Sequence, residues 1–182
     1  MIGALLTSGL LLTPGPGIPG PNLPGPNLPG PNLPGLGVPA PAVQGPCSQG
    51  SCTWFRETGR RLAGASPRGT LFRLRVTWWE SAHPRGLAAG GQRRETVYAR
   101  CSGAMPALVE RGGRVWWERP LDPGEQNPAG VDRGRIALYA WACHGIRVGD
   151  GTSPALNVLY PARRSPAMRE PRTLTQPEDA LR

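Results

Sequence analysis

The sequence predicts a small antiparallel sheet with one helix, hence an α+β or mostly β fold, behind an uncharged N-terminal segment rich in Pro and Gly. Three patterns support this prediction. Apolar and polar residues alternate along several short segments, a Gly-Gly pair separates two of them, and an Ala-rich segment has capping residues at both ends. All six Trp, all three Tyr and both Phe lie beyond residue 46, so we expect the apolar core there.

Alternation alone predicts two strands, near 70–79 and near 95–101. Along the first, one face is apolar (Phe72, Leu74, Val76, Trp78) and the other carries Arg73, Arg75, Thr77 and Trp79. Along the second, Val97, Ala99 and Cys101 alternate with Thr96, Tyr98 and Arg100. Both patterns are typical of half-buried strands.

Two further strands, near 107–111 and 114–118, are predicted to form a hairpin. Gly112 and Gly113 lie between two apolar runs, and both can take the positive φ that a two-residue turn requires. The second strand then places Val115 and Trp117 toward the core, with Arg114, Trp116 and Glu118 on the opposite face.

The segment near 133–144 is predicted to be the helix. Asp132 suits the N-cap and Gly145 the position after the last turn. On a helix Ile136, Tyr139, Ala140 and Cys143 share one face, whereas on a strand Tyr139, Trp141 and Cys143 would share it. Further on, residues 155–160 are expected to form a short last strand.

Composition divides the chain into four parts. Residues 1–13 are apolar, 14–46 are Pro-Gly pentapeptide repeats, 47–165 are the expected globular domain, and 166–182 are expected to be a disordered tail. Glycine recurs at every fifth position of the repeats, which excludes a collagen helix. Most repeats place proline at the fourth turn position, so they lack the N–H of an elastin-like turn. We therefore expect a disordered, uncharged linker biased toward polyproline II.

The four cysteines indicate two disulfides and an oxidising compartment. Three pairings are open, and we favour Cys47–Cys52 with Cys101–Cys143. Residues 2–12 have the length of the apolar core of a signal peptide and are too short to span a bilayer, although no basic residue precedes them. The expected location is periplasmic or secreted, with the cytoplasm as the alternative.

Charge is distributed unevenly along the chain. Residues 1–46 carry none, whereas 47–165 carry 18 Arg against 9 acidic residues, and the chain has a net charge of +9 without a single Lys. An excess of guanidinium groups favours anionic partners. We therefore expect a polyanion (acidic glycan, lipid headgroup or nucleic acid) or another protein as the partner, and no transmembrane span.

The alternation also predicts where such a partner binds. If the strands share one sheet, a single face collects guanidinium groups and aromatic rings: Arg73, Arg75, Trp79, Tyr98, Arg100, Arg114 and Trp116. Interleaved rings and cations suit stacking on bases or sugars with ionic contacts alongside. The alternative is that these groups stack on one another or are covered by the helix.

Two kinds of enzyme site are weaker alternatives. Cys47, Cys52, Cys101 and Cys143 with His83 and His144 offer zinc ligands, but only one close-spaced pair exists. The adjacent Cys143 and His144 resemble a thiol nucleophile and its base only in composition, since sequence neighbours point apart. We therefore expect an exported, non-enzymatic binding domain without metal or cofactor. An intracellular Arg-rich nucleic-acid-binding module is the next alternative, ahead of a thiol- or zinc-dependent enzyme.

Overall fold

The computed structural model describes residues 40–82, 91–125, 128, 130–149, 153–161 and 170–182. The predictions for the apolar N-terminus and for the repeats up to residue 39 lie outside the described residues. So does His83, one of the candidate zinc ligands.

The fold is a seven-stranded antiparallel sheet in which each strand pairs with the next along the chain. The strands are β1 (Val43–Ser48), β2 (Ser51–Ser66), β3 (Gly69–Ser81), β4 (Arg93–Cys101), β5 (Ala107–Gly112), β6 (Val115–Pro120) and β7 (Arg172–Leu174). Helix α1 (Gly130–His144) and the short helix α2 (Pro154–Leu159) follow β6, and a 3-10 helix (Pro177–Leu181) follows β7. The architecture is mostly β with a single long helix.

The two faces of the sheet are covered differently. Helix α1 packs on one face, where Ile136, Tyr139 and Ala140 join apolar side chains of β1 to β5 in the main core. On the other face, the 3-10 helix covers a smaller apolar cluster around Leu71 and Val109, to which Leu174 of β7 contributes. The 3-10 helix covers only part of that face, so the remainder is left to the side chains of the strands themselves.

The four predicted strands and the helix are confirmed. The predicted hairpin is present, but its turn is formed by Gly113 and Arg114, one residue later than expected. Gly113 adopts φ +65° there, and Gly112 is the last residue of β5. A Cβ on Gly112 would lie 2.7 Å from the Trp117 ring, so this glycine is needed for packing rather than for the turn.

Other expectations were wrong. Residues 154–159 form α2 instead of a last strand, because the Ser153 hydroxyl accepts from the Ala155 N–H at 3.2 Å and Pro154 begins the helix. Strand β1 begins at Val43, within the expected linker. Residues 170–182, expected to belong to a disordered tail, contain β7 and the 3-10 helix, because Leu174 and Ala180 are buried against the sheet.

Both favoured disulfide pairs are bonded in the structure. Cys47–Cys52 closes the β1–β2 hairpin with an S–S distance of 1.94 Å. Cys101–Cys143 joins the end of β4 to the last turn of α1 with an S–S distance of 1.98 Å. The Cys101–Cys143 bond fixes helix α1 on the sheet, whereas the Cys47–Cys52 bond links the two strands at the β1 edge of the sheet.

Candidate anion-binding face

The sheet face opposite α1 carries a cluster of arginines, which we call the arginine face. It comprises Arg56 and Arg61 on β2, Arg73 and Arg75 on β3, Arg94 on β4 and Arg111 on β5. Strand pairing sets their positions. Arg56 and Arg94 lie on either side of Thr77, and Arg61 lies directly opposite Arg73. Because adjacent strands lie about 4.8 Å apart, the cluster spans about 14 Å from β2 to β5.

Among the described residues, no carboxylate balances these arginines. None of the six forms an ion pair with a described residue. Within the described strands, Glu118 is the one acidic residue on this face, and it is buried between Arg100 and Arg172. The face is thus a dense, uncompensated positive surface, with like charges in direct opposition at Arg61 and Arg73.

The aromatic rings of this face lie beneath the guanidinium groups. Trp79 is only 6% exposed, and the Arg56 guanidinium lies 5.5 Å from its ring centroid. Trp116 is partly buried, makes an edge contact with Tyr98 at 5.4 Å and is covered by Arg111 at 5.9 Å. Each cation–π contact holds an arginine in place and shields a ring from solvent.

The structure therefore brings together most, but not all, of the residues predicted for this face. Arg73, Arg75, Trp79, Tyr98 and Trp116 lie on it, with the rings of Trp79 and Tyr98 buried. Arg100 points the same way but is 1% exposed, because it pairs with Glu118 at 2.6 Å and donates to the Ala180 carbonyl. Arg114 is exposed in the β5–β6 turn.

Sequence reasoning missed four arginines of the face: Arg56, Arg61, Arg94 and Arg111. The two on β2 were missed because that strand was not predicted. Arg94 lies just outside the predicted bounds of β4, and Arg111 was left at the end of its strand. In the structure the turn between β5 and β6 lies one residue later than predicted, and the resulting pairing places Arg111 directly opposite Trp116.

A groove of about 600 Å³ lies between the arginines at one end of the face. Its polar side chains come from β2, β3, β4 and the residue before β4: Arg56, Thr58, Arg75, Thr77, Gln92, Arg94 and Thr96. Glu95 also borders the groove, but it pairs with Val76 and its carboxylate contacts Arg93 on the helix-facing side. Burial raises the pKa of that carboxyl group.

A smaller groove of about 370 Å³ adjoins the first across Thr96. Arg73, Tyr98, Arg111 and Trp116 line it. Its acidic neighbours Glu95 and Glu110 belong to the other face, where Glu110 pairs with Arg119 and Arg135. The two grooves therefore lie side by side on the arginine face, and together they extend across the strands from β2 to β6.

The positions of the cysteines and histidines bear on the two enzyme alternatives, a thiol nucleophile and a zinc site. All four cysteines are paired in disulfides, so none offers a thiolate as a nucleophile or metal ligand. Over the described residues, no group of three His, Cys, Asp or Glu side chains is positioned to hold a metal ion. His144 is half-buried, its Nε2 lies 2.8 Å from the Tyr160 hydroxyl, and burial lowers its pKa.

No protein-family model, curated protein or solved structure matches this chain. The class that the fold itself defines is a disulfide-bonded antiparallel meander of seven strands, with a helix on one face and arginines on the other. Among the helices described, none is long and apolar enough to cross a membrane.

Proposed function

We propose that this protein is an exported, non-enzymatic domain that binds an anionic polymer through its arginine face. The observation that carries the proposal is the set of six arginines that form no ion pair with any residue of the described ranges. A folded protein gains stability by spacing or pairing such charges. Here Arg61 and Arg73 are opposed across two strands, which costs stability unless an external anion compensates them.

A polymer suits this face better than a small anion. Six guanidinium groups from four neighbouring strands form a surface about 14 Å wide instead of one enclosed pocket. Guanidinium groups bind carboxylate, sulfate and phosphate with paired N–H donors. Several weak contacts along one chain add up to useful affinity without a deep cavity.

Two features support the proposal that the domain is exported. The disulfides persist in oxidising compartments such as the periplasm or the extracellular space. The uncharged Pro-Gly repeats precede β1 directly, which suits a spacer between the domain and an attachment or processing point. On this proposal, the partner is a polymer of the cell envelope or its surroundings.

Heparin affinity at several salt concentrations tests the proposal. We expect binding that weakens steeply with salt, since each ionic contact releases counterions. Changing Arg61 and Arg73 together to Gln should weaken it by about tenfold. It should also raise the melting temperature, because the opposed charges are removed.

The matched control changes Arg68 and Arg93 to Gln, which removes the same charge from positions outside the arginine face. Arg68 lies in the β2–β3 turn, and Arg93 lies on the helix side, opposite Trp78. We expect less than about a twofold change for this control. Equal losses for the two double variants would show that net charge alone attracts heparin, and would contradict a specific face.

A further inference from the structure

We infer that the larger groove of the arginine face is a subsite for one acidic sugar unit, so that the polymer is a glycan. The inference rests on the proposed function and narrows it to a ligand class. The groove combines three arginines with the hydroxyls of Thr58, Thr77 and Thr96 and the amide of Gln92. A ligand that carries anionic groups next to hydroxyls matches both kinds of side chain.

The hydroxyl and amide groups distinguish this groove from a plain basic patch. Each threonine hydroxyl donates one hydrogen bond and accepts others, and the glutamine amide does both. The Thr58 hydroxyl donates to the Arg75 carbonyl at 3.2 Å and keeps its capacity to accept. A sugar ring bearing a carboxylate or a sulfate presents partners for all of these groups on one small unit.

The burial of the aromatic ring in this groove argues against single-stranded nucleic acid as the ligand. Proteins that bind such strands stack the bases on exposed aromatic rings. Trp79, which lines this groove, is 6% exposed and lies under Arg56, so it offers no free ring face. A nucleic acid would therefore bind through its phosphates alone and leave the bases without a partner.

One arginine of the groove, Arg75, lies against a glycine of the neighbouring strand. A Cβ on Gly59 would lie 2.8 Å from the Nε of Arg75 and 2.9 Å from its Nη2. The guanidinium of Arg75 thus packs against Gly59 of β2 and would have to shift if this residue carried a Cβ. The backbone of Gly59 is outside the left-handed region, so alanine fits the chain itself. Gly59→Ala then displaces one guanidinium and leaves the net charge unchanged.

The experiment measures the affinities of three probes: a heparin octasaccharide, an oligogalacturonate of the same length, and an oligo-dT matched in charge. We expect both sugar probes to bind the wild type more tightly than oligo-dT. Gly59→Ala should weaken both by about fivefold to tenfold, the loss of one charged hydrogen-bonding group. Gly103→Ala is the control, because its Cβ would meet no atom within 4 Å.

Should Gly59→Ala prove unstable, Arg75→Gln replaces it, with Arg68→Gln as its charge-matched control. Oligo-dT binding as tight as the sugars would overturn the assignment to a glycan. Equal affinities of Gly59→Ala and Gly103→Ala, with salt-sensitive heparin binding retained, would overturn the groove as the subsite and leave the proposed function standing. Absence of binding by all three probes would overturn both.

Discussion

At the scale of single residues, the buried ion pair beneath the arginine face is the most consequential polar contact. The Arg100 guanidinium pairs with Glu118 at 2.6 Å and donates to the carbonyls of Met105 and Ala180. Arg172 of β7 contacts the same carboxylate. One arginine therefore ties the sheet, the β4–β5 connection and the C-terminal 3-10 helix together.

Glu118→Gln should destabilise the protein by about 3–5 kcal/mol, because it leaves the Arg100 charge buried without its carboxylate. Urea unfolding measures the loss. Glu110→Gln is the control, since that carboxylate is partly exposed and its pairs with Arg119 and Arg135 should contribute about 1 kcal/mol or less. A similar loss for the two variants would contradict the role assigned to the buried pair.

His144 gives the stability a dependence on pH. Burial lowers its pKa from the ordinary 6.5, and its ring faces the hydroxyl of Tyr160, which in turn bonds to that of Tyr139. Well above the ordinary pKa of 6.5, the ring is neutral in both folded and unfolded chains. As the pH falls through that value, the unfolded chain takes up the proton first, so stability is lost until the pH reaches the lowered pKa of the folded chain.

His144→Asn should therefore flatten the pH dependence. We expect the wild type to lose more stability than the variant between about pH 7.5 and about pH 5, measured by urea unfolding. The raised pKa of Glu95 acts with the opposite sign, because its stabilising contribution is lost as the pH rises, and it is common to both proteins. Parallel pH profiles for the wild type and the variant would contradict the account.

At the scale of elements, the disulfides differ in what they hold. Cys101–Cys143 spans 42 residues and joins α1 to β4, whereas Cys47–Cys52 spans 5 residues within one hairpin. Chain entropy predicts a cost of about 4 kcal/mol for replacing the first pair by alanine and about 2 kcal/mol for the second. Thermal unfolding of the two double variants measures the difference. A larger loss for the hairpin pair would contradict this ranking.

The elements also show how far the sequence could predict the fold. The strand β3 keeps a regular alternation and was found with bounds close to the observed ones. Strand β2 was missed because it shifts register between Glu57 and Gly59 and again between Leu62 and Gly64, which breaks the alternation. Strand β7 has three residues and is formed only by pairing with β6, a long-range contact without a local signal.

For the candidate site, the sequence could predict which face of a strand a residue lies on, but not the contacts between strands. Alternation placed Arg73 and Arg75 on one face with Trp79, because strand periodicity fixes the face of a residue. It could not reveal that Trp79 is covered by Arg56, since that contact depends on the pairing of β2 with β3. Ser153 and Pro154 are a local helix-capping signal, and they account for α2 where a strand was predicted.

At the scale of the whole molecule, the two faces of the sheet differ in how their charges are balanced. The helix side holds partly exposed ion pairs, including Glu57 with Arg60 and Glu110 with Arg135. On the opposite side, the pair of Arg100 with Glu118 is buried. The opposite side holds the six arginines of the arginine face, none of which forms an ion pair with a described residue, so anions are attracted mainly to this side. The uncharged repeats before β1 add no competing charge.

Protection of arginines from a dicarbonyl reagent, mapped by mass spectrometry of peptides with and without saturating heparin, tests the central claim most directly. The account predicts slower modification of the exposed arginines of the face, Arg61, Arg75, Arg94 and Arg111. Arg68, Arg93 and Arg147 lie elsewhere and should react at unchanged rates. Uniform protection of all arginines, or protection centred on the second group, would contradict the assignment of this face as the binding surface.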